Sequence, residues 1–278
     1  MRLIDLPRER QRKRPPLRHQ KVEGWWALSL PLLLFLLLPL LALIFYSSPA
    51  ELVANLRLPQ VRQALGLSLR TSTVATVLSV LLGLPVAYLL ARRQFPGRAL
   101  IDSLIDLPIV LPPAVAGLSL LLVFGRRGFI GAPLNELGIR ITFTELAVII
   151  AQTFIAVSLL VRAAAIGFAG VDPEIEDAAA IDGANRNQTF RLITLPLSRQ
   201  AVLSGIALAW ARAMGEFGAT IIFAGNFPGR TQTMPLAIYI GFELNLDVAV
   251  TLSVILVMFS FVVLLLVKVV FGREQEPD

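Results

Sequence analysis

The stretch EIEDAAAIDGANRNQTFRLITLPL, residues 174–197, interrupts a chain that is apolar on either side of it. AVIIAQTFIAVSLLV (147–161) runs before it and AVLSGIALAWA (201–211) follows. The residues signal a helix. Asp172 can cap its start, Pro173 suits its first position, and Glu174 and Glu176 lie at the positive end of the helix dipole. Ile175, Ala178 and Ala179 fall on one face at spacings of three and four, and the two alanines let another surface approach the backbone. Gly183 permits a left-handed turn that ends the helix. A second short helix is expected to run to Thr194, with Pro196 stopping it. The expected unit is a compact helix–turn–helix lying along a membrane. From these features alone it is either a docking element or an amphipathic surface helix with no partner.

The membrane is implied by everything around that unit. Of the 278 residues, 56% are hydrophobic, and the mean hydropathy is +0.74. Soluble domains average about 45–50% apolar. The excess comes in six blocks, at about 25–46, 66–91, 101–124, 146–170, 200–224 and 248–271, each able to supply the roughly 20 residues of a spanning helix. The expected fold is therefore an all-α polytopic membrane protein with six transmembrane helices. Trp25 and Trp26 would lie at headgroup level. Six crossings put both termini on one side.

Residues 1–23 carry eight Lys/Arg and the Pro15–Pro16 pair, and they read as a basic, flexible tail. If that tail is cytoplasmic, sixteen Lys/Arg lie on the inner side and seven on the outer. This bias favours both termini inside. The first apolar block is too long for a typical signal-peptide core. The expected organisation is a tail at 1–23, a first transmembrane helix and outer loop at 24–61, a membrane core at 62–272 containing the loop 171–197, and a short cytoplasmic end at 273–278. The net charge of +6 fits basic cytoplasmic loops, and no basic stripe interleaved with aromatics points to nucleic acid.

Several chemistries are excluded. There is no cysteine, and the one histidine, His19, lies in the basic tail, so no disulfide, thiolate metal site or intramembrane histidine exists. No cofactor is expected. The lysines are Lys13, Lys21 and Lys268, and none follows a glycine as a phosphate-binding loop requires. Energy must then come from a partner or an ion gradient.

Two features depart from six plain blocks. In LPIVLPPAVAG (107–117), Pro108, Pro112 and Pro113 remove backbone donors, so this helix must kink or break. Residues 234–242, MPLAIYIGF, are apolar but too short to cross, which suits an outer interfacial or re-entrant segment. Ionisable groups inside spans are functional candidates by default. Arg212 and Glu216 are four residues apart on the fifth span, so they are expected to share a helix face and can pair, with Thr220 continuing that face. The pair is either structural glue or part of a pathway or its gate. Arg162 can snorkel from the inner end of its span, with Asp102 and Asp106 wet at the inner start of another.

The spacing Asp177-Ala178-Ala179, three residues, Gly183, nine residues, Ile193, one residue, Leu195-Pro196 resembles the EAA loop of ABC importer permeases, with Asp177 where that family usually has Glu. FPGRALIDSLIDLPIVLPPAVAG (95–117), GRRGFIG (125–131) and ARAMGEFGATIIFAGNFPGRTQTMPLAIY (211–239) are similar to the molybdate-type permeases, whose relatives carry tungstate or sulfate. The resemblance covers most of the chain from about residue 60. It implies a type I ABC importer permease fold, a second copy of the same chain, an ABC ATPase as partner, and an extracytoplasmic oxyanion-binding protein. It also implies that the loop docks the ATPase through Glu176, Asp177, Ala178, Ala179, Gly183, Ile193, Leu195 and Pro196. Arg212, Glu216, Phe217, Thr220, Pro112 and Pro113 are then candidates for the pathway or its gate. The rival is a secondary transporter, which would favour midplane carboxylates and an inverted repeat. No repeat is visible. An intramembrane protease would lack its histidine.

Overall fold

A computed structural model describes residues 23–46 and 48–272. The basic tail, the segment 273–278 and the side chains of Trp25 and Trp26 lie outside the described residues. Those described are helical or looped, with no strand among them. Four helices are long and apolar enough to cross a membrane, and two bent helix pairs bring the possible crossings to six.

The first unit of the chain ends at Ala42 and holds most of α1, Glu23–Tyr46. Within α1, Ser29–Tyr46 is an apolar stretch of 18 residues, long enough to cross a membrane. The second unit begins at Leu43. In it, α2 (Pro49–Leu56) starts with a capping box between Ser48 and Glu51. Asn55 on α2 donates to the Thr251 hydroxyl at 2.9 Å.

The long helix α3 spans Pro59–Arg92. It starts earlier than the apolar block at 66 suggests, because Pro59 occupies its first turn and Val61 and Ala64 are buried against other helices. Its 34 residues make it about 50 Å long at 1.5 Å per residue, more than the roughly 30 Å hydrocarbon core.

Next come α4 (Arg98–Val110) and α5 (Pro113–Phe124), which meet at an angle of 115°. The break expected from the prolines is therefore a sharp reversal at Leu111–Pro112. A short α6 (Gly131–Glu136) leads to α7, Glu145–Ala169, started by Thr144, whose side chain accepts from the Ala147 N–H. The loop region then forms α8 (Pro173–Ile181), α9 (Arg186–Thr189), a π turn at Phe190–Thr194 and α10 (Leu195–Leu197). After a 76° bend comes α11, Arg199–Met214. The chain finishes with α12 (Gly218–Phe223), α13 (Met234–Leu244) and α14 (Leu246–Gly272).

The core of the second unit is α3, α7 and α11 packed together. Small residues make this possible: Ala75, Ala156, Ala209 and Ala213 are fully buried around Leu160. Without a strong hydrophobic drive between helices in lipid, close approach over such residues supplies the contact energy. The hydroxyls of Thr76 and Ser79 on α3 bond to carbonyls four residues back, at 2.7 and 2.8 Å, so they need no outside partner. Two flanking layers complete the unit. In one, α12 packs on α5 and α7; in the other, α13 packs on α14 and α3.

Candidate functional site

The loop between α7 and α11 takes its form from local chemistry. The Asp172 carboxylate accepts from the Glu174 N–H at 3.0 Å, with Pro173 opening α8. At the other end Gly183 has φ +91°. The Ala184 N–H reaches back to the Ala179 carbonyl at 2.9 Å, and the Gly183 N–H to that of Ala180 at 3.1 Å. This pair of bonds satisfies the last carbonyls of α8. Sequence reasoning missed the second cap, although its signal was present. Asn185 accepts from the Asn187 and Gln188 N–H groups, and Gln188 accepts from that of Asn185 at 2.8 Å.

The expected stop at Pro196 does not occur. The helix from α9 continues through the π turn into α10 and ends at Leu197. A proline ring clashes with the carbonyl four residues back. Here the turn is widened, and the Leu195 N–H bonds to Phe190, five residues back, so the ring at 196 is accommodated. The chain turns at Ser198, whose hydroxyl bonds to the Thr194 carbonyl at 2.6 Å.

The eight loop residues named from the sequence separate into two groups. Asp177, Ala178, Gly183 and Pro196 are exposed, while Ala179, Ile193 and Leu195 are half-buried. Beside the exposed ones stand apolar side chains that the pattern did not single out. Ile181 is 86% exposed and Leu192 73%. Glu176 behaves differently. It turns back into its own chain and pairs with Arg92 at 2.9 Å.

The second group of candidates meets where two helix breaks come together. α11 stops at Met214, and Gly215, Glu216 and Phe217 lie between it and α12. Glu216 is therefore not on the same helix as Arg212, and Thr220 does not continue one face, contrary to the expectation of an uninterrupted span. The pairing itself is present. Arg212 Nη1 lies 2.7 Å from Glu216 Oε2, and Glu216 is 1% exposed. The other carboxylate oxygen accepts from the Ala219 N–H at 2.8 Å. This explains the break: the glutamate caps α12, which cannot happen in a continuous helix. The Thr220 hydroxyl is buried and has no hydrogen-bond partner. Phe217 packs against Tyr239 with ring centroids 5.2 Å apart.

The bend between α4 and α5 reaches the same place. A Cβ built on Gly218 would lie 2.5 Å from the Pro113 Cβ, and one on Gly117 would lie 2.8 Å from the Ala219 carbonyl. Pro113 is thus pressed directly against the start of α12, with Pro112 just before it. Gly218→Ala should force α5 and α12 apart. Overpacking of this kind costs about 1–3 kcal/mol, so the purified variant should melt several degrees lower; an unchanged melting temperature would show that the contact is slack.

Arg162 does not simply snorkel. It donates to Asp102 at 2.6 Å and to both carboxylate oxygens of Asp106. It thereby ties α7 to α4. The i, i+4 spacing of the two aspartates was the available signal.

The sequence profile of the binding-protein-dependent transport system inner membrane components matches residues 79–273. The molybdenum transport system permease protein ModB of Escherichia coli (strain K12) is 46% identical over 178 residues, which cover 64% of this chain and 78% of that one. The sulfate transport system permease protein CysT of Salmonella typhimurium is 39% identical over 213 residues, 74% of this chain and 76% of that one. Among solved structures, a bacterial alginate ABC transporter in complex with its alginate pentasaccharide-bound periplasmic protein superposes with a TM-score of 0.68 over 92% of this chain and 96% of its own, at 16% identity.

Proposed function

The chain belongs to the binding-protein-dependent transport system inner membrane components, and from that premise we propose that it is the permease of an ATP-driven importer for a tetrahedral oxyanion, molybdate first. The observation that carries this reading is the similarity to the ModB permeases. The family profile, over residues 79–273, includes the region where the Arg212–Glu216 pair, the α12 cap and the Pro113 bend converge. ATP is hydrolysed by a partner ABC ATPase that docks on the exposed face of α8. The anion is delivered by an extracytoplasmic binding protein, and the path forms between two copies of the chain around a two-fold axis. A family that depends on a binding protein gives no support to an ion-gradient mechanism.

In the mechanism, two ATPase subunits close on ATP and draw the paired loops together. The bundles of α3, α7 and α11 rock, the inner gate closes and the outer one opens. The anion then enters a path that holds it weakly enough to release it. Sulfate is the second reading, favoured by the similarity to CysT. Uptake by the reconstituted complex, with labelled molybdate against excess sulfate and with ATP present or absent, tests the proposal. Uptake that persists without ATP and collapses with the ion gradient would overturn it.

Orientation follows from the charge bias, with both termini cytoplasmic. The chain has no cysteine, so single cysteines report cleanly. Ser48→Cys and Asn135→Cys should react with an impermeant thiol reagent from outside, and Asn187→Cys should not. All three positions are exposed. Labelling of Asn187→Cys in sealed right-side-out vesicles would invert the topology.

A further inference from the structure

Arg92, Glu176 and Thr194 join three elements at one point. Arg92 lies in the last turn of α3. Its Nη2 donates to the Val171 carbonyl just before α8, at 2.8 Å, and to Glu176 Oε1, at 2.9 Å. That same oxygen accepts from the Thr194 hydroxyl at 2.5 Å. The side chains of Arg92 and Glu176 are only 12% and 16% exposed, and Thr194 is fully buried. Thr194 closes the π turn, and its carbonyl receives Ser198 at the 76° bend into α11.

The two helices of the loop are held in different ways. The π turn is anchored by apolar contact, with Phe190 edge-on to Tyr88 of α3 at 5.0 Å and to Phe168 of α7 at 5.7 Å. α8 presents Asp177, Ala178, Ala180 and Ile181 outward. Its carboxylate at 176 is the side chain that reaches inward to α3 and to the π turn. Apolar surfaces can slide over one another. Charge-assisted hydrogen bonds from a guanidinium fix direction as well as distance.

We infer that the Arg92–Glu176–Thr194 junction is the rigid link that carries movement of α8 into α3 and α11. Glu176 is then a positioning residue, while Asp177 beside it faces the docked subunit. The inference rests on the permease reading above. A displacement of α8 reaches the end of a 34-residue helix and the bend before α11, and α11 carries Arg212 in its last turn. Without the link, α8 still docks but moves independently of the membrane helices.

The test uses the complete complex in liposomes with ATPase, binding protein and labelled molybdate. It compares wild type with Arg92→Met, Glu176→Gln and Thr194→Val, scoring ATPase association, ATP hydrolysis and anion taken up per ATP. Each variant should hold the ATPase and continue to hydrolyse ATP, with uptake per ATP at least about fivefold lower, the lower end of typical coupling strengths. A double variant, Arg92→Cys with Glu176→Cys, should regain uptake per ATP when bridged by a bifunctional thiol reagent. Wild-type coupling in the three single variants would overturn the link. So would loss of ATPase association in Glu176→Gln, because Glu176 would then be a docking contact. A wild-type complex that shows no ATP-driven uptake would instead sink the permease reading, and the two failures are distinct.

Discussion

Arg212→Met and Glu216→Gln should each destabilise the protein, and the double variant should recover its melting temperature without recovering ATP-driven uptake. The asymmetry of the pair sets the order of the single effects. Glu216 is 1% exposed, whereas the Arg212 side chain is 35% exposed. Removing the arginine strands a buried carboxylate, which costs about 3–5 kcal/mol when the site is dry. Removing the carboxylate leaves a guanidinium that the chain does not enclose, so the loss is smaller. In the double variant neither charge is stranded, and glutamine can still accept from the Ala219 N–H and cap α12. The fold should therefore return. What does not return is the charged tie across the break between α11 and α12, where Gly218 meets Pro113 at the bend of α4 and α5. A gate needs two arrangements of such a joint, and the ion pair biases one of them. A double-mutant cycle scored for both melting temperature and uptake decides the matter. Full recovery of uptake in the double variant would reduce the pair to packing.

The second large effect is at the loop. Ala178→Trp should leave the protein inserted and folded, because Ala178 is exposed, yet lower the affinity for the ATPase by at least about tenfold, or about 1.4 kcal/mol. Gly183→Val should act through the backbone instead. No atom lies within 4 Å of a Cβ added at Gly183, but its φ is +91°, so the substitution is opposed by conformation and not by space. A left-handed conformation costs an L-residue about 1–2 kcal/mol, more for a β-branched one, and relieving it dismantles the end of α8. Gly183→Asn should be milder, since asparagine tolerates that region. Equal ATPase binding by wild type, Ala178→Trp and Gly183→Val would remove the loop from the interface.

The parts of the molecule that could be read in the sequence were those decided within a few residues. The cap at Asp172, the turn at Gly183 and the break at the prolines of 108–113 depend on residues adjacent in the chain, and local chemistry specifies them. What could not be read was decided across the fold. Glu176 and Asp177 are neighbouring acids, about 100° apart around a helix. Only the position of Arg92, 84 residues earlier, determines which one turns inward. Glu216 looked like part of a helix because its four-residue spacing to Arg212 is a helical spacing. Its bond to the Ala219 N–H ends that helix and begins another. Arg162 met two aspartates 56 and 60 residues away, a distance no periodicity reports. The π turn was invisible because its composition is that of any amphipathic helix.

That turn has a consequence for insertions and deletions. In an α-helix each residue advances the side-chain direction by about 100°, so a segment of fixed length also acts as an angular setting. The π turn at Phe190–Thr194 accommodates one additional residue within a helix. It resets the azimuth of everything that follows, including Leu195, Ser198 and the whole of α11. The nine residues between Gly183 and Ile193 are thus a dial as well as a distance. Losing one residue there would shorten the loop by only about 1.5 Å but would turn the buried face of α11 by more than a quarter of a revolution away from α7. Length tolerance in this protein should accordingly be lowest in a surface loop, the place where folded chains ordinarily absorb such changes most easily.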